Sequence, residues 1–279
     1  MTTDFLRIRT DKVSYNVVMN HILKKRQLWE DFIDRNEILQ NCVGLLSDGS
    51  HYETMKIGKN QREVFKRSKD MENMLLRERD KVKEDYFSGA NKYDGILYMM
   101  FTKSNKHRNR DRISSQANPL YIGKAEKFGR GTVDKFGRKR NNLSYNIKSD
   151  SAFVRWGYGY EYHMGDLSAA ILPGHNPKYI KKKYINWAKY IFKTDVNNGE
   201  FILNEYGMPR LFQPVYFWCT AWQSPSNDSP SRSIWQDIGK TRLAFEEYLL
   251  IGIASELFPK TLLNTEGHNR QIDLEDLIF

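Results

Sequence analysis

The chain has 279 residues, 40% of them hydrophobic and 28% charged, enough for one large domain or two small ones with real cores. Its 44 Lys and Arg outweigh 34 Asp and Glu, and the resulting charge of +10 favours polyanions such as nucleic acid. No apolar run approaches the roughly 18 residues of a membrane span, MTTDFLRIRTDK lacks a secretory apolar region, and Cys42 and Cys219 show neither metal nor disulfide spacing; a soluble cytoplasmic protein is expected.

Residues 15 to 46 read as helical, with Val17, Val18, Ile22, Leu23, Leu28, Phe32, Ile33 and Leu39 at three- and four-residue steps, and SDGSH reads as a turn. Asn60 to Asp85 is charge-dense and built of good helix formers, with Val64, Met71, Met74, Leu75 and Val82 as a narrow apolar stripe. Such a helix either packs by one edge or forms a dimer or DNA-contacting arm. The SGANKYDG stretch reads as a boundary, which predicts a helical N-terminal extension over 1–90 and a second unit over 91–279.

From Gly95 the pattern changes. ILYMMF and LYIG read as two strands able to pair as an antiparallel hairpin, with the basic stretch 102–118 at its tip. KFGR then occurs twice in a loop, and FVRWGYGYEYHMGDLSAAIL is too rich in Gly and Tyr to read as helix. KYIKKKYINWAKYIF predicts a basic amphipathic helix with Tyr184, Trp187, Ala188 and Ile191 on its apolar side. PVYFWCTAW predicts a buried central strand, and TRLAFEEYLLIGIASELF a long helix ended by Pro259.

Phosphodiester hydrolysis needs an activated water, a cation near the scissile phosphate and stabilisation of the leaving oxygen. GILY at 95–98 followed by YIGK at 121–124 resembles the paired signature of the GIY-YIG nuclease superfamily. The later order of strands, AFEEYLL and LLNTEGHN fits it too, and the resemblance covers about 95 to 266. It implies an α+β fold with a small mixed or antiparallel sheet flanked by helices, and an endonuclease with one Mg2+ or Mn2+ ion per active site.

On that resemblance Tyr121 is the firmest match, and Lys124 stands beside the water or phosphate. The first strand reads G-I-L-Y, so Leu97 holds the position of the family tyrosine; alternation groups Tyr98 with Ile96 and Met100, and Tyr98 is taken as the functional residue. Helical spacing sets Glu246 among Leu243, Leu250 and Ile253, and makes it the expected metal ligand, with Glu247 the alternative. Asn264 fits the late asparagine of the family. The arginine is Arg138 or Arg155, in a segment where His163 assists the water or contacts phosphate. Lys103, Lys106, Arg108, Arg110, Arg112 and Arg130 are expected phosphate contacts.

The expected activity is cleavage of duplex DNA by a restriction or defence nuclease, with a homodimer through the N-terminal helices as a further expectation. The alternatives are a structure-specific repair nuclease, an RNA-cleaving toxin and a non-catalytic nucleic-acid-binding module.

Overall fold

The two strands that carry the paired tyrosines form the spine of the molecule. In the computed structural model, β4 (Tyr93–His107) and β5 (Ile113–Glu126) pair antiparallel from Gly95 opposite Glu126 to His107 opposite Ile113. The structure describes residues 20–47, 51–107, 113–133, 139–141, 155–159, 162–223 and 242–264. Beyond the core the hairpin continues as a two-stranded ribbon, with Lys103 opposite Ala117 and Lys106 opposite Ser114. The basic stretch expected as a loop is thus largely strand, because backbone ladder bonds form as readily between polar residues as between apolar ones.

β8 (Tyr216–Gln223) pairs antiparallel with β4, and β1 (Val43–Gly44) pairs with β8, giving the order β1-β8-β4-β5. Two hairpins stand beside this sheet: β2 (Thr54–Ile57) with β3 (Arg62–Phe65), and β6 (Phe128–Val133) with β7 (Lys139–Asn141). Six α-helices are present among the described residues: α1 (residues 20–35), α2 (Ile38–Asn41), α3 (Lys69–Phe87), α4 (His163–Ile171), α5 (Lys182–Ile191) and α6 (Leu243–Leu257). None is long and apolar enough to cross a membrane.

Strand alternation divides the core in two. Ile96, Tyr98, Met100, Phe217 and Cys219 pack with α3, α4, α5 and the β2–β3 hairpin. Leu97, Met99, Phe101, Ile122 and Trp218 face the other way, with α1, α2 and α6. The alternation expected of ILYMMF is therefore the observed one. The open backbone on both sheet edges is met by side chains. Beyond β1, the Ala221 N–H donates to Glu78 at 2.9 Å. On β5, the Ile122 N–H donates to Asn264 Oδ1 at 3.0 Å, while Asn264 Nδ2 donates to the Ile122 carbonyl at 2.8 Å. Such contacts spare buried peptide groups and leave less edge for another strand to join.

Three expectations are corrected. The QREVF stretch is strand β3 rather than the start of a helix, and α3 begins after Ser68, whose hydroxyl caps the Met71 N–H at 3.0 Å. HMGDLSAAI is a helix despite its setting; a Cβ on Gly165 would come within 2.1 Å of the Gly159 carbonyl, so glycine there permits close packing on the preceding loop. The described part of the first 90 residues is no appendage: Leu45, Phe65, Met71, Leu75 and Val82 share one core with Ile96 and Tyr98. Burying those side chains needs the sheet, which a separate extension would lack.

Candidate active site

The antiparallel register pairs Tyr98 with Gly123 and Met100 with Tyr121, so both tyrosines project from one face of neighbouring strands. A Cβ on Gly123 would fall 2.5 Å from the ring of Tyr98, so the missing side chain of the YIG glycine makes room for that ring. The tyrosine ring centroids lie 6.1 Å apart. Tyr98 is 1% exposed, whereas Tyr121 is only partly buried.

Helix α4 begins at His163 and presents its imidazole to both. Nε2 of His163 is 3.4 Å from the Tyr98 hydroxyl, and the ring packs edge-on to Tyr121 with centroids 5.0 Å apart. Nδ1 lies 3.3 Å from the hydroxyl of Tyr184 on α5. Trp156 and Trp187 close the box around the imidazole at 4.9 and 5.0 Å between centroids. Burial pushes the His163 pKa well below 6.5, and the nearby positive charges of Arg155 and Lys183 push the same way, so this histidine is neutral at neutral pH. Burial likewise raises the Tyr98 phenol well above its usual range, reinforced by Tyr121 and Glu247 and opposed by Arg155.

Three groups here had no assigned role from the sequence: Asp166, Tyr184 and Lys183. Asp166, one turn along α4, is fully buried, and its carboxylate stands against the Tyr184 hydroxyl with the Lys181 ammonium 3.9 Å away. Burial raises its pKa to about 6 against the lowering effects of Tyr184, Lys181, Arg155 and Lys183. Lys183 places its ammonium over the Tyr121 ring, 5.0 Å from the centroid. The signal for Tyr184 was present in the sequence as part of the α5 apolar stripe, but periodicity reports a face and not the partner of a hydroxyl.

Arg155 is exposed and holds φ at 59°, a left-handed conformation uncommon outside glycine. Its charge acts on Tyr98, His163, Asp166 and Tyr184. Of the expected groups, Tyr98, Tyr121, Arg155 and His163 are thus brought together. Arg138, Arg108, Arg110 and Arg112 lie outside the described residues, and Lys106 and Arg130 are described in backbone only.

The remaining expected residues stand elsewhere. Lys124 pairs with Leu97, and so emerges on the sheet face opposite Tyr121, where it forms an ion pair with Glu247. Glu246 is fully buried on the sheet-facing side of α6, while the Glu247 side chain is 18% exposed. The described residues hold no group of three or more His, Cys, Asp or Glu side chains arranged for a metal. Mg2+ commonly keeps several waters and takes one or two carboxylates plus substrate phosphate oxygens, and Glu247, paired with Lys124, would supply one such carboxylate. Asn264 closes the outer edge of β5 and acts on strand position. Lys103 donates to the Leu39 carbonyl at 3.3 Å and lies over the Tyr216 ring at 4.2 Å, tying α2 to the sheet.

Comparison with protein-family models, with curated proteins and with solved structures finds no match to this chain.

Proposed function

We propose that the chain is a metal-dependent endonuclease hydrolysing phosphodiester bonds of duplex DNA, in a restriction or defence role. The observation that carries this reading is the convergence of one tyrosine from each signature strand on a neutral histidine, beneath an arginine held in a left-handed backbone. A hydrolytic site needs a proton acceptor of that kind and a cation facing the phosphate.

In this reading the attacking water lies at the partly exposed Tyr121 and reaches the Tyr98 oxygen along that ring, Tyr98 itself being 1% exposed. As the water loses a proton to the Tyr98 oxygen, the phenolic proton of Tyr98 passes to His163 Nε2. The hydroxide oxygen bonds to phosphorus, the bond from phosphorus to the leaving oxygen breaks, and solvent protonates that oxygen. His163 ends as an imidazolium and returns its proton to solvent after release. Arg155 faces the charge that develops on the non-bridging oxygens. Glu247 would be the residue to hold a Mg2+ or Mn2+ ion, which would supply charge neutralisation to the phosphate; its carboxylate, paired with Lys124, stands on the sheet face opposite Tyr121 and meets this site around the edge of β5. The charge of +10 and the β4–β5 ribbon support DNA as the polyanion.

The test is cleavage of supercoiled plasmid and phage DNA by the full chain, with and without Mg2+, beside Tyr121→Phe, Glu247→Ala and Glu246→Gln. Discrete Mg2+-dependent fragments, lost in Tyr121→Phe and Glu247→Ala and retained in Glu246→Gln, are the expected result. A smear would shift the role to a nonspecific or structure-specific nuclease, and cleavage confined to RNA would shift it to a toxin. DNA bound tightly and left intact on every substrate would overturn the reading in favour of a binding module.

A further inference from the structure

We propose that Tyr184 and Asp166 are positioning residues that hold His163 in its Nδ1-protonated neutral form, leaving Nε2 to accept from Tyr98; the consequence for rate rests on the nuclease reading above.

Donor and acceptor capacity decides which way the protons of this site point. Four groups stand in a row from three elements: Tyr98 on β4, His163 and Asp166 on α4, and Tyr184 on α5. The two measured links are 3.4 Å from Tyr98 to His163 Nε2 and 3.3 Å from His163 Nδ1 to Tyr184. A neutral imidazole has one N–H and one bare nitrogen, and a hydroxyl has one proton. The row can therefore be satisfied in only two directions, and whatever stands at its end selects between them. That end is Asp166, fully buried, its carboxylate against the Tyr184 hydroxyl and 3.9 Å from the Lys181 ammonium.

An ionised carboxylate only accepts, so it draws the Tyr184 proton toward itself. The Tyr184 oxygen then accepts from His163 Nδ1–H, and Nε2 is left bare toward the Tyr98 hydroxyl. The phenolic proton of Tyr98 points at Nε2 as a result, which leaves the lone pairs of its oxygen to accept. In the reverse direction, with Asp166 protonated and donating, Nε2–H would point at Tyr98 and the histidine would have no site for a proton from that side. The groups that bias Asp166 are Lys181 and Lys183 from α5, Arg155 from the preceding loop and Tyr184; the three cations favour its ionised form. Those facing His163 are Tyr98, Tyr121, Tyr184, Lys183 and Arg155, and the two cations keep the resting ring neutral and hasten the loss of a proton it takes.

The test reads the tautomer directly. Full-length protein labelled with 15N-histidine is examined by long-range 1H–15N correlation at pH 8, with His163 assigned from the signal missing in His163→Gln. The wild type is expected to show protonated Nδ1 and bare Nε2. Tyr184→Phe, which removes one oxygen, and Asp166→Leu, which replaces the carboxylate by a similar apolar volume, are expected to convert His163 to a mixed or Nε2-protonated form. Single-turnover cleavage should fall on the order of 10²-fold in each, with DNA affinity unchanged. Protonated Nε2 in the wild type, or an unchanged tautomer in a folded Tyr184→Phe, overturns the proposal. The expected tautomer and its loss in Tyr184→Phe, in a protein that cuts no DNA, would uphold the positioning role and remove the nuclease reading.

Discussion

Glu78 on α3 and Asp166 on α4 are both carboxylates buried against the same face of the sheet, and they are treated in opposite ways. Glu78 accepts from Lys81 at 2.8 Å, Arg77 at 3.1 Å and the Ala221 N–H at 2.9 Å. Burial alone would raise its pKa, but those donors outweigh it and the pKa is lowered from 4.5. Asp166 has only the Tyr184 hydroxyl beside it and a cation at 3.9 Å, so burial prevails and its pKa climbs to about 6. A satisfied buried carboxylate holds a fold together. One left wanting costs stability, and such costs gather at sites of function.

The comparison breaks if Glu78 proves dispensable. Glu78→Ala leaves the Ala221 N–H buried without its partner, while the mostly exposed Arg77 and Lys81 return to water. The expected loss is about 2–4 kcal/mol at pH 7, read as a fall in denaturation midpoint, with cleavage per folded molecule unchanged. Because the folded pKa of Glu78 is lowered, its contribution is present above about 4.5 and fades as pH falls through the folded value. Wild type and variant should therefore converge in acid.

Asp166→Asn should move the other way. The unfolded group titrates near 3.8 and the folded one near 6, so between those values the folded state keeps a proton the unfolded state has lost. Wild-type stability therefore falls as pH rises through that window, and the variant escapes the fall. Asp166→Asn is expected to be more stable by up to roughly 3 kcal/mol above pH 6, with the gain vanishing below about pH 4. Cleavage should drop at the pH where stability rises. Denaturant melts at pH 4 and pH 8 decide it: a variant less stable at pH 8 would mean that Asp166 is satisfied after all.

A smaller effect separates packing from polarity. Gly123→Ala inserts a methyl 2.5 Å from the Tyr98 ring without touching either carboxylate. The expected cost is about 1–3 kcal/mol, independent of pH, with Tyr98 pushed off His163 and cleavage lost. A pH-dependent cost would tie the packing of Tyr98 to the titration of its neighbours.

The contrast also marks what the sequence could disclose. Alternation in ILYMMF, the aromatic run of β8 and the apolar faces of α5 and α6 were legible because burial repeats at the period of the backbone. Glu246 was rightly set on the apolar side of its helix, yet that burial makes Glu247 the more accessible carboxylate. Strand β3 hid in a charged stretch because only Val64 and Phe65 of its residues are buried. The start of α4 hid because Gly165 is demanded by a contact with Gly159, six residues away, which no local propensity reports. Asp166 and Tyr184 were visible as residue types; their relation depends on how α4 and α5 meet.

The finest adjustment is Lys181, whose side chain is 54% exposed and 3.9 Å from the carboxylate of Asp166. Solvent screens so exposed a charge, so Lys181→Met should change stability by less than about 0.5 kcal/mol. Its charge nonetheless opposes the rise of the Asp166 pKa, and removing it raises that pKa further. On the positioning argument the acidic limb of the cleavage profile follows Asp166 as it gains its proton and turns the row of hydrogen bonds around. That limb should shift to higher pH in Lys181→Met, with the plateau rate at pH 8 retained. A shift without a change in plateau separates bias of the carboxylate from loss of a DNA contact, which would instead weaken binding at every pH and lessen its dependence on salt.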